Sequence, residues 1–261
     1  MEKVAIIIPT FNSCEYLHET LESCKNQSYR NIEIIVVDDC STDGTVGFLK
    51  SINDIRVFFN KENKGISKNL NFAITQTDAD YAIFMGHDDI LPCTHVEKML
   101  QEIKTDTEIG LVHCNALKID TAGGILNLSR DNVEQINKSK KAMYYLALDN
   151  FIQSCGLMFD RRKFIEIGGF DENYKLYGEW LAYIKFAKDW KIEYCDKTHG
   201  YYRIHPGSTM RMINQKQRSQ IREYKKICRD LAKSYLDKKD IDINFMLKRG
   251  YRFAKENFNY K

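Results

Sequence analysis

The first hundred residues alternate between short apolar runs and segments whose apolar residues recur at helical spacing. Four of the runs are rich in β-branched or aromatic residues and end in turn-forming residues, as strands buried on both faces do. They are Val4–Ile8, Ile32–Val37, Ile55–Phe59 and Tyr81–Met85. Asn12 followed by Glu15 forms a capping-box pattern, which predicts that a helix begins at Asn12. The alternation predicts βαβ units, and therefore an α/β fold with a mainly parallel sheet and helices on both faces.

The second half of the chain is less regular. The predicted elements are a hairpin at 111–119 and 125–128, a helix around 140–148, a strand at 151–159, a helix at 178–189, and short strands near 192–195 and 201–204. Two long helical stretches run from about Ile213 to the end. The pattern divides the chain into a body and a helical C-terminal extension. The predicted bounds are 1–212 for the body, with halves of about 1–110 and 111–212, and 213–261 for the extension.

Composition narrows the class of protein. Of 261 residues, 43% are apolar and 29% are charged, which excludes a disordered tail, a fibre and a small disulfide scaffold. The longest clean apolar run, Val4–Pro9, is far shorter than the roughly 20 residues of a membrane span. The first residues do not resemble a signal peptide, so we expect a cytoplasmic protein. The eight cysteines show no C-x-x-C spacing and are interpreted as buried thiols rather than a metal site.

Charge is distributed unevenly along the chain. Residues 211–261 carry 15 Lys and Arg against 6 Asp and Glu, whereas the other 210 residues carry 24 against 30. Two interpretations of this basic extension remain open. It is either a helix packed on the body, or an interfacial helix that contacts anionic lipid at the inner face of the cell membrane. Nucleic-acid binding is not expected, because supporting motifs are missing and the acidic body repels phosphates.

Candidate chemistry gathers where the predicted strands end. Asp38 and Asp39 follow the second strand, and Asp88 and Asp89 follow the fourth. In parallel sheets ligands bind at this edge, where the first pair suits a base or ribose and the second suits Mg²⁺ or Mn²⁺. The alternative is that both pairs only form turns and cap helices. No glycine-rich phosphate loop is present, so a diphosphate would need a metal and basic side chains. The available side chains are Lys64, Lys68, Arg203 and His205.

Five segments occur in the order seen in family 2 glycosyltransferases. They are residues 8–12, 36–45, 63–67, 168–172 and 202–208. The chain resembles that family over roughly residues 3–210. The resemblance implies an A-type glycosyltransferase fold and an inverting, metal-dependent enzyme. Such an enzyme moves a hexose or N-acetylhexosamine from a nucleotide-diphosphate donor, commonly UDP-linked, to a saccharide or lipid-linked glycan. The first half of the body would bind the donor and the second half the acceptor.

The resemblance also implies roles for individual residues on the donor side. The implied donor-binding set is Pro9, Thr10, Phe11, Asn12, Asp38, Asp39, Gly65, Lys68, Asn71, His87 and Asp88. Asp39 would contact the base. Asp88 and His205 would bind Mn²⁺ or Mg²⁺, and Arg203 with His205 would bind the diphosphate. The first aspartate of the family's metal motif is Gly86 here, which leaves Asp88 as the main ligand.

On the acceptor side, Glu179 takes the position of the family's catalytic base. A carboxylate there would deprotonate the attacking hydroxyl; the alternative is a glutamate that only complements the helix dipole. Tyr177, Trp180 and Asp89 would contact the acceptor, although the two aromatic residues also fit a helix core. Two other functions stay open: a nucleotidyltransferase, and a non-catalytic nucleotide-sugar or glycan-binding module, which Gly86 favours.

Overall fold

The computed structural model describes residues 1–128, 142–208 and 215–236, whose strands form one sheet. The strands are β1 (Val4–Thr10), β2 (Ile32–Asp38), β3 (Arg56–Phe59), β4 (Tyr81–Phe84), β5 (Ile109–Ile119), β6 (Ile125–Leu128), β7 (Met158–Asp160) and β8 (Lys191–Arg203). Their order is β3-β2-β1-β4-β7-β5-β6, and β8 pairs with β5. The first four strands are parallel, whereas β7 runs antiparallel between β4 and β5. The predicted α/β fold with a mainly parallel sheet is confirmed.

Helices cover both faces of this sheet. They are α1 (Leu17–Lys25), α2 (Thr45–Lys50), α3 (Ile66–Thr75), α4 (His95–Ile103), α5 (Ala142–Leu146), α6 (Arg161–Glu166), α7 (Gly178–Asp189) and α8 (Gln215–Ser234). Ile6 and Ile8 of β1 pack with Leu17 of α1, whereas Ile7 belongs to the cluster that contains Leu70 of α3. Successive residues of a strand point to opposite faces, so β1 is apolar throughout because both of its faces are covered.

Three predicted elements differ from the observed ones. The first helix begins at Leu17 and not at Asn12. Asn12 has a φ of 49°, which is not helical, and lies in the loop after β1. The predicted strand at 151–159 shrinks to β7, preceded by a turn in which Gly156 has a φ of 78°. The two short strands predicted near 192–204 are one strand, β8, with an irregularity in its pairing with β5. That irregularity interrupts the apolar pattern without ending the strand.

The described part of the basic extension packs against the body. Cys228 and Ala232 of α8 are wholly buried in the core. The Tyr224 ring lies 5.3 Å from that of Tyr174, in the 3₁₀ helix Glu172–Tyr177. These contacts favour the packed-helix interpretation for residues 215–236, while residues 237–261 lie outside the described part of the chain. None of the described helices combines the length and apolar character needed to cross a bilayer.

Candidate active site

A cavity of about 1460 Å³ lies where β1, β2 and β4 end. Most of the residues predicted to bind substrate line it. They are Pro9, Thr10, Phe11, Asn12, Asp39, Gly65, Lys68, His87, Asp88, Asp89, Tyr177, Glu179 and His205. The parallel pairing of β1 with β2 and β4 brings these distant segments to one edge of the sheet. Asp38, Asn71, Trp180 and Arg203 are not among the lining residues.

The loops after β1 and β2 are tied together by side chains. The Asn12 backbone N–H donates to Ser41 Oγ at 2.8 Å, and Asn12 Oδ1 accepts from the Thr42 N–H at 2.8 Å. The capping pattern therefore misassigned Asn12, whose amide joins two loops instead of beginning α1. This bridge fixes the cavity wall on which Phe11 is 43% exposed.

Asp39 anchors the loop that leads into α3. Its Oδ1 accepts hydrogen bonds from the Lys64 N–H at 2.8 Å and Asn60 Nδ2 at 2.9 Å, and its Oδ2 accepts from the Gly65 N–H at 2.8 Å. Gly65 has a φ of 86°, a conformation that favours glycine. Burial alone would raise the pKa of Asp39, but the hydrogen bonds hold it below its ordinary value. Asp39 is therefore a stable anion in the cavity wall.

Asp88 and His205 meet in the cavity, with Asp88 Oδ2 2.9 Å from His205 Nε2. The His205 ring packs 4.9 Å from the ring of Tyr16, and its backbone N–H donates to Ser208 Oγ at 3.1 Å. Carboxylate and imidazole are ligands that Mn²⁺ accepts, and Mg²⁺ also uses one or two carboxylates beside substrate phosphates. Within the described ranges, no group of three or more His, Cys, Asp and Glu could hold an ion alone. The pair fits a metal that also takes substrate ligands.

The loop that carries Asp88 is fixed by hydrogen bonds from Thr20 and Arg203, mostly to its backbone carbonyl oxygens. Thr20 Oγ1, wholly buried on α1, lies 2.9 Å from the His87 carbonyl oxygen and 2.8 Å from that of Asp89. Arg203 Nε donates to the Asp88 carbonyl oxygen at 2.9 Å, and the Arg203 backbone N–H donates to Asp89 Oδ1 at 3.1 Å. Three consecutive residues are thus fixed by α1 and β8. No sequence motif indicated the contribution of Thr20.

The predicted diphosphate contact of Arg203 is wrong for this structure. Its side chain is 1% exposed and its donors are used inside the protein. Nη1 donates to the carbonyl oxygens of Asp120 and Thr121, and Nη2 pairs with Glu19. Arg203 is therefore a positioning residue for the Asp88 loop.

Gly86 leaves space for the two carboxylates that follow it. A Cβ added at Gly86 would lie 2.8 Å from Asp88 Oδ1 and 2.9 Å from Asp89 Oδ2, closer than real Cβ contacts. Burial and the neighbouring Asp88 raise the pKa of Asp89 well above its ordinary value. Asp89 is 4% exposed, as Asp39 is, and lines the cavity.

Glu179 stands in the first turn of α7 and lines the cavity without a hydrogen bond to any described residue. Burial raises its pKa from 4.5 to about 7. Burial, and after it the charges of Asp89 and Asp88, raises the pKa of Tyr202 to about 12. Tyr202, the first residue of the 202–208 segment, also lines the cavity.

Trp180 and Asn71 also depart from prediction. Trp180 is 1% exposed and its indole N–H donates to the Leu146 carbonyl oxygen at 3.1 Å, so it cannot stack on an acceptor here. Asn71 Nδ2 donates to the Phe170 carbonyl oxygen at 2.8 Å, and Asn71 Oδ1 accepts the Phe170 N–H at 2.9 Å. Instead of binding a donor, Asn71 fastens the loop that leads to α7.

Asp38 is likewise not a ligand in this arrangement. It is 1% exposed, and its Oδ2 accepts the Ser41 N–H at 3.1 Å. Its Oδ1 has no hydrogen-bond partner among the described residues. Of the two adjacent aspartates, only Asp39 lines the cavity, because consecutive residues at the end of a strand point in opposite directions.

Several further cavity residues were missed because they lie far apart in sequence and belong to no motif. These are Thr121, Asp149, Asn150, Ser154 and Lys225. Lys225 comes from α8, so the cavity includes a residue of the basic extension.

Comparisons with known proteins identify the family and the fold of this chain. The family described as Glycosyl transferase family 2 matches residues 5–168, and the chain belongs to that family. An uncharacterized glycosyltransferase of Rickettsia typhi is 29% identical over 207 residues, 79% of this chain and 65% of the relative. The Escherichia coli UDP-Glc:alpha-D-GlcNAc-diphosphoundecaprenol beta-1,3-glucosyltransferase WfaP is 35% identical over 108 residues, 41% of this chain and 43% of WfaP.

Among solved structures, residues 1–349 of S. aureus TarS in complex with UDP-GlcNAc match with a TM-score of 0.68 and 18% identity. The match covers 98% of this chain and 74% of that one, and it shows a shared fold. The predicted A-type glycosyltransferase fold and family are confirmed. The chain spans only 65% of the R. typhi relative's length, so the activity and substrates of the whole protein are proposals.

Proposed function

We propose that the protein transfers a sugar, with inversion, from a UDP-linked donor to a hydroxyl of a saccharide or lipid-linked glycan. The observation that carries this proposal is Glu179, a carboxylate without a hydrogen bond to any described residue, in the same cavity as the Asp88–His205 pair. An inverting transfer needs one base beside one leaving-group site. The E. coli relative is named as a glucosyltransferase acting on a lipid-linked GlcNAc, which suggests polysaccharide or glycolipid synthesis.

The donor would lie along the wall that ends β1 and β2. Asp39, held as an anion, would accept a hydrogen bond from the base while keeping the Lys64–Gly65 loop in place. Lys68 would face the diphosphate. Asp88 and His205 would hold Mn²⁺ or Mg²⁺, and such an ion, when bound, neutralises charge on the departing diphosphate. Arg203 and Thr20 would keep Asp88 in place through the backbone.

Glu179 would take the proton of the acceptor hydroxyl as that oxygen attacks the anomeric carbon and the bond to the diphosphate breaks. A base with a pKa near the working pH is deprotonated often enough to act and basic enough to accept the proton. Its pKa of about 7 meets this requirement. A glutamate that only complemented a helix dipole would have no need of this environment.

The test is UDP release from UDP-Glc or UDP-GlcNAc with Mn²⁺, measured with and without a panel of acceptor glycosides. We expect release that acceptor accelerates and that EDTA abolishes. Glu179→Gln should bind UDP but release it from the sugar nucleotide about 10²–10⁴-fold more slowly. Binding without turnover by the wild-type protein would identify a nucleotide-sugar-binding module instead, and UDP binding that is unchanged by EDTA would contradict the metal site.

Two finer expectations stay predictions. One is cytoplasmic location; the other is contact between the basic extension and anionic lipid. The described part of the extension uses its apolar side for packing, which leaves residues 237–261 as the segment to test. Flotation of the full-length protein with vesicles of anionic lipid would measure that contact.

A further inference from the structure

One part of the cavity wall has no role in the donor chemistry proposed above. It is formed by the segment after α5 and by α8, which contribute Asp149, Asn150, Ser154 and Lys225. The donor-side residues come from the ends of β1, β2 and β4 and from α3. The side chains beyond the base are therefore available to a second ligand.

Helix α8 is fixed against this wall by packing and by a partly buried hydrogen bond. Arg229 Nε donates to the Leu148 carbonyl oxygen at 2.7 Å. Tyr224 lies 6.2 Å from the ring of Tyr177, itself a cavity residue. With Cys228 wholly buried, the helix has little freedom to slide. Lys225 is thus held at a defined place beside the segment that carries Asp149.

The charges on this wall nearly cancel. Lys225 Nζ lies 3.6 Å from Asp149 Oδ1, and the two side chains are 27% and 13% exposed. Asn150 Oδ1 accepts the Ile152 N–H at 3.1 Å, and no hydrogen bond joins Asn150 Nδ2 to another described residue. Ser154 is exposed and adds a hydroxyl. The wall offers several donors and acceptors without net charge, which suits hydroxyl groups.

Carboxylates in the same cavity argue against an anionic ligand at this end. Both Glu172 and Glu179 line it; Glu172 would repel a phosphate placed beside it, and so would Glu179 once it is deprotonated. A neutral sugar ring meets no such penalty. Its hydroxyls can donate to Asp149 and accept from Lys225 and Asn150.

We infer that α8 completes an acceptor subsite in which Lys225, Asp149, Asn150 and Ser154 bind the hydroxyls of a neutral sugar ring beside Glu179. This inference rests on the proposed glycosyl transfer. Lys225 lies beyond residues 5–168, the region that matches the family, so this chain selects its acceptor with a residue outside the matched region.

The experiment measures binding of methyl glycosides of glucose, galactose and GlcNAc by saturation-transfer NMR, in the presence of UDP and the diamagnetic ion Mg²⁺. We expect the wild-type protein to bind at least one neutral glycoside more tightly than methyl glucoside 6-phosphate. Lys225→Met should weaken that binding about ten- to a hundredfold, the effect of losing one hydrogen bond to a charged group. Asp149→Asn should act in the same direction.

Lys226→Met is the matched control, because Lys226 is the next residue of α8 and is exposed. It should leave glycoside binding unchanged, and UDP affinity should be equal in all variants, which also reports intact folding. The inference is overturned if Lys225→Met weakens UDP instead of the glycoside, if it changes neither, or if the phosphorylated sugar binds best. Because binding needs no turnover, a protein that binds glycosides but releases no UDP would contradict only the proposed function.

Discussion

The two walls of the cavity hold their carboxylates in opposite ways. On the donor wall, three donors bind the Asp39 carboxylate and keep its pKa low. On the acceptor wall, Glu179 has no hydrogen-bond donor among the described residues, and its pKa rises to about 7. A carboxylate that must always be charged is surrounded by N–H groups, whereas one that must accept and release a proton is left without them. The environment, more than the residue type, separates a binding group from a base.

The largest expected effect comes from removing the proton acceptor. Glu179→Gln keeps the shape of the side chain but cannot take a proton, so turnover should fall about 10²–10⁴-fold while UDP binding remains. The wild-type rate should rise with pH through about 7, because the base must be deprotonated, and the residual rate of Glu179→Gln should lose that rise. Initial rates between pH 5.5 and 8.5 measure both.

Glu172→Gln is the control, since Glu172 lines the same cavity but is exposed, with its Oε1 3.2 Å from Asn71 Nδ2. It should keep the pH dependence of the wild-type protein. If Glu172→Gln abolished turnover while Glu179→Gln did not, the base would be Glu172.

A smaller effect is expected on the donor wall. Asp39→Asn replaces one acceptor oxygen by an NH₂ group that faces backbone N–H groups, so UDP should bind more weakly by about 1–3 kcal/mol. Titration calorimetry gives the value directly. Asp43→Asn is the comparison, because Asp43 also accepts backbone N–H groups but does not line the cavity. Equal losses in both variants would mean that loop order, and not contact with the nucleotide, determines affinity.

The smallest effect concerns the stability of the folded protein. The pH dependence of that stability has opposite signs for Glu179 and Asp39. The folded pKa of Glu179 lies above its ordinary 4.5, so the folded protein loses stability as pH rises from about 4.5 to about 7. One pKa unit corresponds to about 1.4 kcal/mol, and after allowance for partial exposure we expect Glu179→Gln to be about 1–2 kcal/mol more stable at pH 8.

For Asp39 the folded pKa is lowered, so its stabilisation is present at neutral pH and is lost in acid. Asp39→Asn should therefore melt below the wild-type protein at pH 8, whereas Glu179→Gln should melt above it. Thermal melts at pH 5 and pH 8 measure both. A Glu179→Gln variant that gains nothing at pH 8 would show that Glu179 is well solvated.

The sequence predicted the features that depend on local pattern, such as the bounds of helices. Helix α7 was predicted with its observed bounds, Gly178–Asp189. The sequence did not predict which side of α7 faces the cavity. Glu179 and Trp180 are adjacent, and only tertiary packing decides that Trp180 is the buried one. The sequence shows that Arg203 is positively charged. It does not show that the guanidinium group pairs with Glu19 and donates hydrogen bonds to three backbone carbonyl oxygens. Lys225 could not be found, because only the tertiary packing of α8 brings it to the site.

The crowded space around Gly86 has a consequence for how this protein can vary. Any side chain at position 86 collides with carboxylate oxygens of both Asp88 and Asp89. These oxygens are the ends of side chains, so an aspartate there, as in the family's metal motif, requires the Asp88 and Asp89 carboxylates to rotate away from it. Such a rotation would change the contact of Asp88 with His205 Nε2 and the hydrogen bond that Asp89 accepts from the Arg203 N–H. The residue at position 86 therefore sets the orientation of both carboxylates.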